Sequence, residues 1–144
     1  MERAEAMQRL GNSKVARFAT ADAQGRPHIV PIVFALDGNT LYFAVDAKPK
    51  KTTDLKRLKN IAANPAVSVL VDQYANDWTK LWWVRADGTA SVVIGSAEAE
   101  RAIALLAHKY EQHRRERPAG PVVEVHLDRV TGWSATLDTV RRLV

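Results

Sequence analysis

Apolar residues recur along this chain with two different periods, which separate its predicted strands from its predicted helices. Seven segments are apolar and β-branched or alternate strictly, as strands do. They are residues 14–20, 28–36, 40–45, 66–72, 81–86, 89–94 and 122–130. In the last segment Val123, Val125 and Leu127 alternate with polar residues, which predicts one buried and one solvated face.

Apolar residues spaced three and four apart predict two to three helices beside the strands. Residues 2–10 form the first, residues 53–63 the second, and a longer helix follows Ser96, whose side chain suits an N-cap. The predicted buried faces are Ala4, Met7 and Leu10, then Leu55, Leu58, Ile61 and Ala62, and finally Ala99, Ile103, Leu106 and Tyr110.

Short polar turns join most of the strands, which favours antiparallel neighbours. Asp22–Gly25 predicts a turn, and the pairs Asp37-Gly38 and Asp87-Gly88 predict hairpins. So many strands in a short chain leave unprotected edges unless the sheet closes on itself. The pattern therefore predicts a mainly β (α+β) fold, an antiparallel β-barrel of six or seven strands.

Composition predicts one domain, residues 1–144, with 47% hydrophobic and 26% charged residues. No apolar run approaches the roughly 20 residues of a membrane span, and the charged N-terminus does not resemble a signal peptide. The chain has no cysteine, which excludes disulfides and thiolate chemistry and is compatible with the cytoplasm, where we expect the protein. The net charge of +5 suggests an anionic partner.

A basic run follows the third predicted strand and leads into the second helix. It comprises Lys48, Lys50, Lys51, Lys56, Arg57 and Lys59, and Asp54 is the one acid among them. A solvated helix face is the ordinary explanation for such a run. Here the run is nearly single-signed and meets a helix N-terminus, an arrangement that favours phosphate or carboxylate groups.

Familiar catalytic patterns are missing from the chain. Its four histidines have no spacing typical of a metal site, and we expect no metal. No phosphate-binding glycine motif and no acid pair for proton transfer stand out. A candidate anion site without such groups indicates a cofactor that brings its own chemistry.

Three of the four tryptophans, Trp78, Trp82 and Trp83, lie within six residues. On a strand Trp82 and Trp83 face opposite sides, so one can fill the barrel while the other covers a cofactor or a subunit interface. Arg85 shares the side of Trp83 and can reach an anion or stack on a ring. A core or interface role for all of these rings is the plain alternative.

From Val15 to Trp133 the chain resembles the split β-barrel superfamily of flavin- and deazaflavin-binding proteins that includes pyridoxamine 5′-phosphate oxidase. The matching segments are VARFATADAQGRPHIVPIVFALDG, KPKKTTDLKRLKNIAANPAVSVLVD, DWTKLWWVRADGTASV and VTGW. Among its branches the chain is most similar to the probable F420-dependent enzymes. The resemblance implies a split, FMN-binding type of barrel and a homodimer with two equivalent cofactor sites at the interface.

The resemblance also implies which residues hold the cofactor. Residues 29–32, that is Ile29, Val30, Pro31 and Ile32, would lie along its ring system. Lys56 and Arg57 match the phosphate-contacting pair of the oxidase, in swapped order. Trp78 and Trp133 would contact the ring or the interface, and Lys50 and Lys51 would suit a more acidic cofactor.

The leading functional hypothesis is therefore an oxidoreductase that uses coenzyme F420, a deazaflavin with a phosphate and an acidic glutamyl tail. It would transfer a hydride between this coenzyme and a small electron-poor substrate, whose identity the sequence does not reveal. The alternatives are an FMN-binding flavoprotein and a non-catalytic module that binds a cofactor or haem. Neither nucleic acid nor a membrane is expected as a partner, since basic and aromatic residues do not recur together along the chain.

Overall fold

The computed structural model describes residues 1–45 and 52–136, with only the backbone described for residues 52–55. Its strands are β1 (Ala16–Ala21), β2 (Pro27–Ile32), β3 (Ala35–Asp37), β4 (Thr40–Ala44), β5 (Ala66–Gln73), β6 (Trp82–Val93) and β7 (Val122–Ser134). Its α-helices are α1 (Arg3–Asn12), α2 (Thr52–Ala63), α3 (Ala97–Lys109) and α4 (Glu111–Arg115), and Trp78–Lys80 form a 3-10 turn.

All seven strands belong to one antiparallel sheet in the order β2-β1-β5-β6-β7-β4-β3. Its two edge strands, β2 and β3, are consecutive in the chain, with only Val33 and Phe34 between them. Three peptide units span at most about 11 Å, so the two edges must lie close together. The sheet is therefore curled into a barrel that is split between β2 and β3, as the predicted fold class requires.

Alternate residues of the strands fill the barrel. Fully buried Phe18 and Phe43 meet edge to face, with their ring centroids 4.8 Å apart. Valines at alternate positions of β5, Val67, Val69 and Val71, complete this layer. Side chains at the intervening positions point outward, so the same period that builds the core also exposes one regular outer face.

Two strand predictions are wrong. The predicted strand 28–36 is two strands, because the chain leaves one sheet edge after Ile32 and joins the opposite edge at Ala35. The predicted hairpin at Asp87-Gly88 is instead the middle of the continuous strand β6, which pairs with β5 on one side and β7 on the other. Gly88 lacks the positive φ typical of a hairpin turn there.

A bulge in β7 lies opposite that point. Asp87 pairs with Arg129 and Gly88 with Leu127, so Asp128 is one extra residue on β7. An extra residue reverses which side the following residues face. Beyond the bulge, Trp133 therefore lies on the outer face of the sheet, although Val125 and Leu127 at the same parity are buried.

The helices follow the predictions with three corrections. In α1, Ala6 is buried rather than Ala4, and in α2 Asn60 is buried while Ala62 is exposed. The third helix ends at Lys109, since Tyr110 has extended backbone angles, and α4 follows as a separate short helix. The described residues thus contain four α-helices rather than two or three. None of them is long and apolar enough to cross a membrane.

Tyr110 fastens the connection between the two sheet edges. Its hydroxyl accepts a hydrogen bond from the Phe34 amide at 3.0 Å and lies 2.9 Å from the carbonyl oxygens of Phe34 and Lys14, to either of which it can donate. The neighbouring Lys109 ammonium lies 4.0 Å from the Phe34 ring centroid and donates to the Ser13 carbonyl at 2.7 Å. Helix α3 is thereby anchored where the barrel splits.

Gly88 is the position where the bulge leaves least room. A Cβ added to Gly88 would overlap the carbonyl oxygen of His126, which is backbone and is fixed by the ladder. We expect Gly88→Ala to lower the free energy of unfolding by about 1–3 kcal/mol. Gly11→Ala is the control: its Cβ would meet only the end of the Leu36 side chain at 3.4 Å, and alanine favours the helix. Urea denaturation giving the same midpoint for both variants would contradict this account.

Lys109 makes stability depend on pH in the alkaline range. Burial, together with the charge of Lys14, lowers the pKa of Lys109 from 10.5 to about 8. Between these values the unfolded chain binds more protons than the folded chain, so this group makes the free energy of unfolding rise with pH. Lys109→Met removes the titrating group, and we expect the free energy of unfolding of the variant to lack this rise with pH. Denaturation curves collected across that range test it; parallel pH profiles for the two proteins would refute it.

Candidate functional site

The outer face of the sheet contains an apolar depression of about 560 Å³, which we call the tryptophan groove. Its lining includes Arg17, Ile29, Leu70, Trp83, Arg85 and Trp133. The volume is within the range of roughly 300–1,000 Å³ common for small-molecule sites. The groove therefore has room for a cofactor ring or a substrate.

The strand register arranges these side chains in two rows. Arg17 pairs with Leu70 and Leu70 with Arg85, so the three lie side by side on β1, β5 and β6. In the adjoining row Trp83 pairs with Trp133 across β6 and β7. Directly opposed residues of an antiparallel pair lie on the same face of the sheet, and both indoles line the groove.

The two central tryptophans do face opposite sides, as their positions on one strand predicted. Trp82 packs against the barrel core, with the guanidinium carbon of Arg9 lying 4.8 Å from its ring centroid. Trp83 lines the groove, and the guanidinium carbon of Arg85 lies 5.9 Å from its ring centroid. Trp78 lies in the 3-10 turn with 69% of its surface exposed and is not part of the groove lining.

A second depression, the lysine cleft, lies at the turn that joins β1 to β2. Its walls are Lys56, Lys59 and Asn60 of α2 and residues 22–24 of the turn, and its volume is about 480 Å³. The buried Asn60 amide donates to the Thr20 hydroxyl at 3.0 Å and so fixes α2 against β1. This bond sets the position of both lysines relative to the hairpin.

The lysine cleft is cationic even though Asp22 borders it. The Asp22 carboxylate accepts hydrogen bonds from the backbone amides of Gln24 and Arg26 and from the Arg26 guanidinium. These bonds, the Arg26 amide first, lower the pKa of Asp22. Lys56 and Lys59 have no ion-pair partner among the described residues. Their ammonium groups are thus available to an anion.

Arg57 points away from this cleft, toward the barrel. Its guanidinium carbon lies 5.9 Å from the ring centroid of Phe43, and its burial lowers the pKa of the guanidinium. Lys56 and Arg57, adjacent in sequence, therefore meet different surroundings. Lys56 borders the open cleft, whereas the side chain of Arg57 is half-buried and faces the barrel.

Residues 29–32 divide between the two sides of β2. Ile29 and Pro31 are exposed on the outer face, while Ile32 is buried and Val30 packs against the core. A planar ring lying along β2 would meet the side chains of Ile29 and Pro31. Val30 and Ile32 would offer it only backbone atoms.

The β1–β2 hairpin connects the two depressions. Ala19 lines the tryptophan groove and Asp22, three residues further on, borders the lysine cleft, about 10 Å away along the strand. Between them, Nδ1 of His28 is buried and has no hydrogen-bond partner within residues 1–45 and 52–136. The groove and the cleft are thus neighbours along one hairpin.

The predicted site residues are only partly brought together. Ile29 and Trp133 line the groove and Lys56 the cleft, whereas Arg57, Val30, Ile32 and Trp78 lie elsewhere. Lys48, Lys50 and Lys51 are outside the described residues. Sequence reasoning missed Arg17 and Leu70. Their signal was the alternation within β1 and β5, where a residue between buried neighbours must face outward.

Within the described part of the chain, no group of three or more histidine, aspartate or glutamate side chains can hold a metal ion. The anion-binding groups found there are lysine and arginine side chains.

Residues 3–134 match the family model described as pyridoxamine 5′-phosphate oxidase. The chain belongs to the pyridoxamine 5′-phosphate oxidase family. This membership agrees with the resemblance inferred from the sequence motifs and with the split barrel. No curated protein matches the chain in sequence.

Solved structures share the fold across nearly the whole chain. A conserved hypothetical protein from Mycobacterium tuberculosis is 20% identical with a TM-score of 0.73, covering 96% of this chain and 88% of its own. An FAD-binding protein from Mesorhizobium loti is 21% identical with a TM-score of 0.70, covering 92% and 94%. The haem storage protein HutZ from Vibrio cholerae is 17% identical with a TM-score of 0.70, covering 92% and 93%. At these identities the likeness shows a common fold.

The buried bond between Asn60 and Thr20 is open to a direct test. Asn60→Ala leaves the Thr20 hydroxyl without its donor inside the protein and opens a small cavity. We expect the free energy of unfolding to fall by about 1–3 kcal/mol. Asn12→Ala, at an exposed position at the end of α1, is the matched control and should change it by less than about 0.5 kcal/mol. Equal thermal stabilities of the two variants would show that the bond does not hold α2 in place.

Proposed function

We propose that this protein is an oxidoreductase that uses coenzyme F420 to transfer a hydride to or from a small electron-poor organic substrate. One observation carries the proposal: a single hairpin bears an apolar, tryptophan-lined groove on its face and a cationic cleft at its turn. This is the arrangement that a ring-plus-phosphate cofactor needs. The described residues offer no alternative set of catalytic groups that would react without a cofactor.

The cationic side chains of α2 would hold the phosphate. Lys56 and Lys59 bound the cleft, and Arg57, which matches a phosphate-contacting position of the family, is on the same helix. Charge-assisted hydrogen bonds to phosphate are among the stronger polar interactions. Lys50 and Lys51 are assigned to the acidic glutamyl tail, which FMN lacks. The excess of basic residues is the reason for preferring F420.

The ring system would lie on β2 at the edge of the tryptophan groove. Ile29 and Pro31 present their side chains there, and Trp133 bounds the groove on the far strand. When bound, reduced F420 supplies a hydride, which an electron-poor carbon accepts while water supplies the accompanying proton. The protein contributes position: it fixes the ring edge against the substrate and limits access of water.

We further propose a homodimer with two equivalent sites at its interface. Exposed apolar side chains flank the groove: Ile29 is 64%, Tyr74 71% and Trp78 69% exposed. Clusters of exposed aromatic and apolar groups of this kind are typical of interaction surfaces. In such a dimer Trp78 would contact the partner subunit or its cofactor, which explains its position outside the groove.

Two related functions are supported by particular relatives. The FAD-binding protein from Mesorhizobium loti favours a flavin, here FMN, as the cofactor. The haem storage protein from Vibrio cholerae favours a module that binds haem without turnover. Both would use the same groove, so the three hypotheses differ in ligand rather than in location.

Titration of the purified protein with F420, FMN and haemin separates these functions. We expect F420 to quench the tryptophan fluorescence with the highest affinity, because its tail adds negative charge opposite the basic residues. F420 binding should also weaken as salt increases. Tight FMN binding without F420 binding would make the protein a flavoprotein instead, and tight haemin binding alone would support the haem module.

The same titration on variants locates the phosphate. Lys56→Ala and Lys59→Ala should each weaken F420 binding about tenfold, which is the loss of one charge-assisted contact to the phosphate in the lysine cleft. Lys80→Ala, an exposed lysine in the 3-10 turn, is the control and should leave the affinity unchanged. Equal effects from all three substitutions would mean that the basic run of α2 acts only as a solvated surface.

A further inference from the structure

Two arginines flank a leucine on the floor of the tryptophan groove. Arg17, Leu70 and Arg85 are in register on three adjacent strands, and all three line the groove. Neighbouring strands are about 4.8 Å apart, so the two arginine Cα atoms are about 10 Å apart. The sheet thus presents two cations at a fixed separation with an apolar residue between them.

Both guanidinium groups retain donors for a ligand. Arg17 is exposed and forms no hydrogen bond or ion pair within the described part of the chain. Arg85 stacks on Trp83, and its Nε lies 3.5 Å from a carboxylate oxygen of Asp87, which also accepts a hydrogen bond from Ser68. One weak contact to a shared carboxylate leaves most of the five N–H groups of Arg85 unused.

The rest of the groove is mainly apolar, with Ser68, Gln73 and Tyr74 as uncharged polar residues and with one acid. Trp83 and Trp133 form its wall, and Asp72, in the same row, is the one carboxylate among its lining residues. The charged residues of the lining are therefore two cations, Arg17 and Arg85, and one anion, Asp72. Asp72 would repel an acidic group placed on its side, which directs the acidic groups of a ligand toward the arginine row.

From this arrangement we infer that the groove binds a planar, conjugated dicarboxylate. The flat body of the ligand would lie over Leu70 and against the two indoles, and its carboxylates would meet Arg17 and Arg85. Arginine binds carboxylates through paired N–H donors. A ligand with two carboxylates can contact both arginines and should therefore bind more tightly than a ligand with one. Taken with the proposed function, and resting on it, this names the substrate class: a conjugated diacid whose electron-poor carbons accept the hydride.

A second copy of this chain is the competing occupant of the groove. In a symmetric contact the same patch would face itself, bringing Arg17 and Arg85 opposite the partner's equivalent cations. Like charges placed opposite each other disfavour such a contact. The charges therefore favour a small anionic ligand on this floor, while the flanking apolar residues remain available for a dimer.

Binding of naphthalene-2,6-dicarboxylate to the protein without added cofactor tests the inference. Naphthalene-2-carboxylate and 2-(hydroxymethyl)naphthalene are the matched probes with one and no charge. We expect the diacid to quench the tryptophan fluorescence with about tenfold higher affinity than the monoacid, and the neutral probe to bind weakest. Diacid and monoacid binding with equal affinity would overturn the proposal.

Variants assign the contacts to the two arginines. Arg17→Gln and Arg85→Gln should each lower the diacid affinity about tenfold, to that of the monoacid, while Arg115→Gln on α4 should have no effect. Arg17 has no partner to lose within residues 1–45 and 52–136, so its variant remains informative if Arg85→Gln is unstable. Unchanged diacid affinity in Arg17→Gln would refute the site. Loss of self-association in Arg17→Gln, without diacid binding by the parent protein, would make the groove a contact between copies and would also refute it.

F420 titration of the same proteins keeps this inference separate from the proposed function. If F420 binds while the arginine variants leave diacid binding unchanged, the dicarboxylate site fails and the oxidoreductase stands. If the diacid binds through the arginines but F420 does not bind, the site stands and the oxidoreductase fails.

Discussion

The barrel depends on a connection of two residues between the two edges of one sheet. Val33 and Phe34 join β2 to β3, so the sheet has to curl until its first and last strands are neighbours. The hydroxyl of Tyr110 accepts a hydrogen bond from the Phe34 amide and can donate one to the Phe34 carbonyl. Hydrophobic burial of Phe18 and Phe43 then stabilises the curled sheet.

The tryptophan groove contains Trp133 because of one irregularity in this sheet. Strands β6 and β7 pair over most of their length, and the bulge opposite Gly88 reverses the side faced by the end of β7. Trp133 consequently joins Trp83 on the outer face of the sheet. A glycine is required at the bulge because the backbone of β7 lies against the position where a side chain would begin.

Prediction from the local sequence pattern was correct where residues close together in the chain decide the structure. The caps and turns at Ser96, residues 22–25 and residues 37–39 were predicted correctly, and so was the pairing of Arg85 with Trp83 on one side of a strand. Prediction failed at Asp87-Gly88, whose turn-forming residues lie inside a strand held by ladders on both sides. It also failed at Tyr110, which was predicted to continue the helix but has extended backbone angles. The hydroxyl of Tyr110 instead hydrogen-bonds to the backbone of Phe34, 76 positions away in the sequence.

The sequence by itself determined most of the elements, the family and the basic character of α2, because periodicity, capping and charge are properties of residues close together in the chain. The tertiary structure alone decided which cations share a surface with the tryptophans. Four strands lie between Arg17 and Arg85 in the sequence. The two residues share one row of the sheet because each of them pairs with Leu70. Register is set by burial of the opposite face, which is a property of the whole barrel rather than of any segment.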